Sequence, residues 1–378
     1  MKFQSINFTC KNCGAPLRYS PKKHALLCEF CESTEQIEPD QITIEEYDLQ
    51  KAMQHLRDEP PKEITKEVTC NKCAARFKLT PYSVSANCPY CNTPAITDFV
   101  KEITPQSILP FEVTKEEAHQ AFKRWIGSLW FAPSALQKIA KDESKLIGYY
   151  LPHWTFDAQT NTQYYGQRGT IYYVTVERVV MVNGQRQRIR QQEARIDWQP
   201  VNGEVMNAFD DITIGASKTI SHTILDNLAP WDTTKLIPFD KRYLAGFESE
   251  EYTIGLDNGF EYAKLKMDQV IRQSIKRDIG GDRQRIERLQ TRYHHTTYKN
   301  TLLPIWRAEF QWQGKRYNYA INAQTGKITG ERPYSIVKIS LLIGTILLLL
   351  GAGGWFIQEH PEYVEMIAHQ LNSISPRY

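Results

Sequence analysis

After Cys91 the chain contains no further cysteine, and all eight fall within the first 91 of its 378 residues. That excludes a disulfide framework spread through the fold. No segment reads G-x-x-x-x-G-K-[ST], H-E-x-x-H or G-x-S-x-G, so the usual phosphate-binding loop, the helical zinc-hydrolase site and the nucleophile elbow are all missing. The N-terminal MKFQSINFTC has no apolar centre, and no cleavable leader is expected there. A dominant charge is missing too: 46 Lys and Arg against 43 Asp and Glu leave a net +3, which selects neither a nucleic-acid partner nor an acidic substrate. Long apolar runs are absent with one exception.

That exception, residues 336–357, reads IVKISLLIGTILLLLGAGGWFI and carries Lys338 as its one charge. As a helix it would be about 33 Å long, enough for the hydrocarbon core of a bilayer. It is read as a transmembrane helix. Lys327, Arg332 and Lys338 flank its start, whereas Glu359, Glu362 and Glu365 follow its end. The positive flank predicts a cytoplasmic N-terminal head, a single pass through the inner (cytoplasmic) membrane and an extracytoplasmic tail over 358–378. Within that tail a short surface helix from Pro361 is one expectation and a frayed end the other.

In a cytoplasmic compartment thiols stay reduced, which favours metal ligation over disulfides. Cys10, Cys13, Cys28 and Cys31, and then Cys70, Cys73, Cys88 and Cys91, each read C-x2-C-x14-C-x2-C, at a period of sixty. Two residues between cysteines let a tight knuckle aim both sulfurs at one ion, and the intervening hairpin brings the second knuckle opposite. Each array therefore predicts a zinc ribbon, giving two Zn2+ per chain. The two halves are closer together than in rubredoxin-type iron sites. Four thiolates leave no position for water, so the sites are expected to be structural and not catalytic. Each ribbon is expected to close without help from the other. Gly14 and Asn92 suit the left-handed turn after a knuckle, and Ala74 suits it less well.

The spacing of Ile44, Tyr47, Leu49, Met53 and Leu56 predicts a spacer helix over 44–57, stopped at Pro60-Pro61. Thr114-Lys115-Glu116-Glu117 is a capping box before Ala118, Ala121, Phe122, Trp125, Ile126 and Leu129, and a second short helix is expected from Ser134 to Lys141. From Leu151 to Trp198 the period becomes that of strands, with a hairpin turn at Asn183-Gly184. Arg186, Arg188 and Arg190 fall on one face there, as a solvated sheet face would have them. Leu151-Pro152-His153-Trp154 recurs as Leu303-Pro304-Ile305-Trp306, which predicts two related sheet modules. A helix is expected over 259–279, ended by Gly280-Gly281.

The expected fold class is α+β: ribbon one over 1–36, an acidic linker helix over 37–67, ribbon two over 68–100, a helical segment over 101–150, a mainly antiparallel β-rich body over 151–335, and the membrane helix. Acidic residues concentrate in the linker, with twelve acids against four bases from Glu29 to Glu67. Bases concentrate later, ten against four from Lys264 to Lys299. His153, His294 and His295 are the tempting bases for catalysis, but none has a partner set in the sequence. No enzyme is expected, and no catalytic or organic-cofactor residue is assigned.

The strings LPFEV, WFAPSAL, YYLPHWTFDAQTNTQYYGQRG, YLAGFESEEY and LLPIWRAEFQWQGKRYNYAINAQTGKITGERPYS, with the ribbon in front, resemble a bacterial family of zinc-ribbon membrane proteins. Its members commonly carry the label primosomal protein N' or replication factor Y (PriA-like) helicase. The resemblance covers nearly the whole chain. It implies a zinc ribbon before a β-rich body, a membrane helix after GERPYS, and company with SPFH-type membrane scaffold proteins. The helicase activity in that label requires a phosphate loop, and here Gly314-Lys315 runs into Arg316 and Gly326-Lys327 into Ile328. The expected function is thus a membrane-anchored zinc-ribbon scaffold that recruits cytoplasmic or membrane-associated protein partners. The alternative is a zinc-finger-type, DNA-binding protein of replication or restart, using Arg186 to Arg195 and Arg272 to Arg292.

Overall fold

The computed structural model describes residues 2–38, 43–55, 66–80, 82–99, 104–133, 135–136, 146–182 and 185–359. In the first ribbon, β1 (Lys2–Gln4) precedes an antiparallel sheet of β2 (Leu17–Ser20), β3 (Ala25–Cys28) and β4 (Thr34–Gln36). Leu17 and Tyr19 alternate with Arg18 and Ser20, so the first pair points inward and is buried. Next come β5 (Tyr47–Asp48) and α1 (Leu49–His55). The helix begins later than the expected Ile44 because Tyr47 and Asp48 pair with a distant strand at Tyr298 and Thr297, and the Asp48 carboxylate then accepts from the Lys51 N–H at 3.0 Å as a cap; the expected end at Arg57 and stop at Pro60-Pro61 lie outside the described residues.

The second ribbon contains β6 (Glu67–Thr69), β7 (Arg76–Lys78), β8 (Ser83–Asn87) and β9 (Pro94–Ile96). Its relation to the first departs from the independence expected of them. β1 pairs parallel with β6, Ile6 bridges to Ile96, and Arg18 donates to the Asn92 carbonyl at 2.7 Å. The first ribbon also joins the body core: the Tyr19 N–H bonds to the Ala245 carbonyl at 2.9 Å and its ring lies 4.9 Å from that of Tyr243. Spacing of cysteines reports only the local closure of each hairpin, so this joint packing had no signature in it.

β10 (Ser107–Ile108) leads to α2 (Lys115–Ser128), whose capping box forms as expected: Glu117 N–H to Thr114 Oγ1 at 3.2 Å and Thr114 N–H to Glu117 Oε2 at 2.8 Å. The long strands follow. β11 (Ile147–Val182) runs antiparallel to β12 (Gln185–Gly215), with α3 (His222–Leu228), β13 (Ile237–Pro238) and β14 (Glu248–Glu250) after them. α4 (Leu256–Ile279) crosses back to β15 (Arg283–Trp312), which is antiparallel to β11 on its other side. β16 (Lys315–Asn322) and β17 (Ile328–Gly330) complete a meander on β15 before α5 (Ile336–Glu359). The fold is α+β, with mostly antiparallel sheets. The expected Ser134–Lys141 helix, the Asn183-Gly184 turn and the tail beyond Glu359 lie outside the described residues.

α4 covers the sheet with Gly259, Phe260, Ala263, Met267, Ile271, Ile275 and Ile279, an i, i+4 stripe that is buried throughout. Each buried Ile or Met there stabilises by about 1.5–3 kcal/mol over its exposed state. Gly259 is required at its position, because a Cβ would lie 2.7 Å from the Trp154 ring.

The two Leu-Pro-x-Trp repeats turn out to be neighbours in one sheet, with Leu151 opposite Leu303. Each proline marks a change of neighbour. β11 pairs with β14 at Tyr149 and Tyr150 and with β12 from His153 onward; β15 pairs with β10 at Thr301 and Leu302 and with β16 from Ile305. Proline has no N–H to donate and therefore fits a central strand at such a gap. A second irregularity lies further along. At Asp157 and Ala158 of β11 both flanking strands bulge, with Asp211 (φ 50) on one side and His295 (φ 48) on the other.

Beyond Gly169, where β15 begins, β11 and β12 continue as a two-stranded arm from Thr170↔Asp197 to Val182↔Gln185. At about 3.3 Å per residue it extends roughly 40 Å past the three-stranded part.

Candidate metal centres

Four backbone knuckles build the two sites. In each, the residue four places after the leading cysteine returns an N–H to that cysteine's carbonyl: Gly14 to Cys10 (2.8 Å), Glu32 to Cys28 (3.0 Å), Ala74 to Cys70 (2.9 Å) and Asn92 to Cys88 (2.8 Å). All four residues have positive φ, between 55° and 70°. Glycine enters that region at no cost, and Asn enters it more readily than Glu or Ala. Glu32, which sequence reading did not single out, therefore joins Ala74 as a strained position. The leading cysteine's own N–H bonds forward to Ala15, Ser33, Ala75 or Thr93, which closes each loop.

These knuckles converge. Cys10 Sγ lies 3.6 Å from Cys31 Sγ and Cys13 Sγ lies 3.4 Å from Cys28 Sγ. In the second site Cys70 to Cys91 is 3.7 Å and Cys73 to Cys88 is 3.9 Å. Within each set all four sulfurs lie inside 4.8 Å of one another. A tetrahedral ion with metal–sulfur bonds of about 2.3 Å sets its sulfurs about 3.8 Å apart, so both cages suit one such ion each, and they are far wider than a disulfide of about 2.05 Å. In both arrays the first and third cysteines are buried and the second is exposed.

Two hydroxyls escaped notice in the sequence. Ser33 Oγ lies 3.0 Å from Cys10 Sγ and 3.1 Å from Cys31 Sγ, and Thr93 Oγ1 lies 3.3 Å from Cys91 Sγ. Ser33 holds the Cys31 thiol down to about 6. At Cys91 burial pushes upward, but the Thr93 hydroxyl and N–H together with Cys73 and Cys70 bring the thiol again to about 6. A hydroxyl that favours thiolate favours metal ligation. Its signal is a Ser or Thr two residues after the last cysteine of each array.

A third cluster, Asp157, Asp210 and Asp211, brings three carboxylates within 4.8 Å at the sheet bend. Lys299 already supplies a cation there, its Nζ 2.7 Å from Asp211 and 3.1 Å from Glu46. Asp157 accepts from the Asp211 N–H at 2.6 Å and from Thr297 at 2.9 Å. We read the cluster as the fastening of the two bulges. Burial pushes the Asp157 carboxyl up to about 6. The folded state then binds more protons than the unfolded one above the ordinary value of about 3.9, so this contribution to stability falls as pH rises from about 4 to about 6. Asp157→Asn is expected to flatten that part of the stability curve, measured by urea unfolding of the detergent-solubilised chain at pH 4 to 7. An unchanged pH slope would exclude Asp157 as its source.

Of the three histidines, His153 is buried beside β12, bonded through Nδ1 to the Leu151 carbonyl at 3.0 Å, and burial depresses its pKa to about 4. His294 and His295 are exposed at the bulge. The structure does not bring the three together. Arg186, Arg188 and Arg190 are exposed along the arm, where Arg190 meets Glu177 at 3.2 Å.

The chain is 26% identical over 363 residues to the uncharacterized protein YdjG of Bacillus subtilis (strain 168), an alignment covering 93% of this chain and 96% of that protein. No protein-family model matches the chain, and no solved structure matches it. By sequence, then, it is similar along nearly its whole length to a bacterial protein whose own role is uncharacterized.

Proposed function

We propose that this chain is a single-pass membrane protein whose cytoplasmic head binds two zinc ions and serves as a scaffold, bringing protein partners to the bilayer. One observation carries the reading: of two closed four-thiolate cages the first shares a core with the body, a core that Ile96 of the second ribbon also enters, and that body leads into an apolar helix with none of its span buried. Closed cages rigidify and do not turn over substrate. The helix, Ile336 to Phe356, exposes a run of leucines that water would penalise and a hydrocarbon layer would not. Lys327, Arg332 and Lys338 at its start support a cytoplasmic head. The zinc assignment rests on the all-thiolate donor set. The resemblance to the zinc-ribbon family adds SPFH-type scaffold proteins as the partner class.

Tethering raises the effective concentration of the head toward partners at the same surface, typically to the millimolar range, without any new contact. A chain truncated after Tyr334 is expected to bind metal and partner in solution but to leave the partner off the membrane, as seen by cell fractionation. Full complementation by the soluble head would overturn the scaffold reading.

Nucleic-acid binding is the second reading, favoured by the exposed Arg186, Arg188 and Arg190 of the arm. Against it, Arg190 and Arg178 already pair with Glu177 and Glu193. A steep loss of DNA affinity with added salt would favour it over the scaffold.

A further inference from the structure

The C-terminal end of α2 and the first turns of α5 form one corner. The Ser335 N–H bonds to the Phe131 carbonyl at 2.7 Å, and Lys338 donates to the carbonyls of Trp130 (3.1 Å) and Ala132 (2.8 Å). Lys338 is the one charge of the apolar run, and these carbonyls hold its ammonium at the run's upper edge. Just below lies a groove of about 550 Å3, with Ile126, Leu129 and Ala132 on one wall and Leu341 and Leu342 on the other. Gly127 also lines it, and a Cβ there would meet nothing within 4 Å. Trp130 stands beside the groove with 80% of its surface exposed, an unusual state for that residue in water.

We infer that this corner dips into the membrane interface, with Trp130 at headgroup level and the groove holding one acyl chain of a bilayer phospholipid. The inference rests on the membrane reading above. One wall of the groove belongs to the spanning helix itself, so the hydrocarbon that surrounds Leu341 and Leu342 is continuous with the groove. Leu341 and Leu342 lie three and four residues past Lys338, about 4.5–6 Å along the helix, close to the depth at which interfacial segments sit. Tryptophan is favoured at that level because its apolar ring carries a polar N–H. The body would thereby sit on the bilayer by two attachments, the span and the corner, with its orientation fixed.

The test uses the full chain in phosphatidylethanolamine/phosphatidylglycerol vesicles containing acyl chains brominated near the headgroup. The emission lost in Trp130→Phe reports Trp130, and that lost in Trp355→Phe reports the helix. Both are expected to be quenched at least threefold. A phospholipid with a photoactivatable acyl chain is expected to crosslink to α2 in the wild-type chain and several-fold less in Gly127→Leu, which fills the groove at a helical position with open space. If Trp355 is quenched and Trp130 is not, the helix is membrane-embedded and the corner inference is wrong. If neither is quenched, the membrane reading itself fails. Crosslinking unchanged by Gly127→Leu would remove the acyl chain from the groove.

Discussion

Serine in place of Cys28 is expected to release one of two metal ions and to loosen both ribbons together. Binding of a structural zinc ion contributes about 10–16 kcal/mol in small isolated units, and most of that is folding free energy. If the ribbons were separate, the loss would stop at the first. Here β1 pairs with β6, Ile6 bridges Ile96, and Arg18 of the first ribbon holds the Asn92 knuckle of the second. Cys28 itself belongs to the core that contains Phe111, Phe247 and Trp306. Neighbouring sites with shared partners are not additive. Metal analysis should therefore give close to one ion in Cys28→Ser, with amide exchange accelerated in β6 and β7 as well as in β2 and β3. Normal protection in the second ribbon would show that the two are energetically separate.

Replacement of Glu251 by Ala is expected to destabilise the head by about 3–5 kcal/mol, because it breaks a buried ion pair and leaves the Lys66 ammonium with weaker acceptors such as the Asp98 carbonyl at 3.3 Å. Lys66 Nζ lies 2.7 Å from Glu251 Oε1, and the side chains are only 2% and 6% exposed. The pair joins the entrance of the second ribbon to the segment after β14, where the Glu251 N–H also bonds to the Tyr82 carbonyl at 2.7 Å. Replacing both partners by apolar residues, Lys66→Met with Glu251→Leu, should recover most of the loss, since two matched apolar groups cost less than one half of a broken buried ion pair. The urea midpoint of the solubilised chain checks both variants. A single Glu251→Ala variant of unchanged midpoint would mean that the ion pair contributes nothing to stability and that the other partners of Lys66 suffice.

Much of this was legible in order along the chain, and the reason is that the legible parts are local. The cysteine pairs, the Thr114–Glu117 cap, the helix ended by Gly280-Gly281 and the run from Ile336 each depend on residues a few places apart. What escaped depends on partners far away in sequence. Nothing near Phe3 names Val68, and nothing near Tyr47 names Tyr298. The repeated Leu-Pro-x-Trp was seen, but its meaning as a pair of facing gaps needed the register. The basic run after Gly281 likewise read as charge, whereas its alternation of half-buried Gln284, Ile286 and Leu289 belongs to a strand that continues to Trp312. At the sites, Ser33 and Thr93 were hidden because a hydroxyl beside a cysteine is common and only its 3.0–3.3 Å distance makes it matter.

β15 also sets a timetable. Tyr47 pairs with Tyr298, and Ser107 and Ile108, which meet Pro238 and Ile237 on one edge, pair with Thr301 and Leu302 on the other, so these early segments stay incompletely paired until β15 has been synthesised. Closing loops of that length is slow, and the waiting segments expose edges and apolar faces meanwhile. The first core can close only once Trp306, Phe310 and Tyr319 are present, and the apolar helix comes directly after them in the chain. A nascent chain stalled shortly before Arg283 should therefore be bound by chaperones and cut readily by protease near Tyr47 and Ser107, even with zinc supplied. On the membrane reading, delivery to the bilayer and completion of the head would then coincide in time, with one segment governing both.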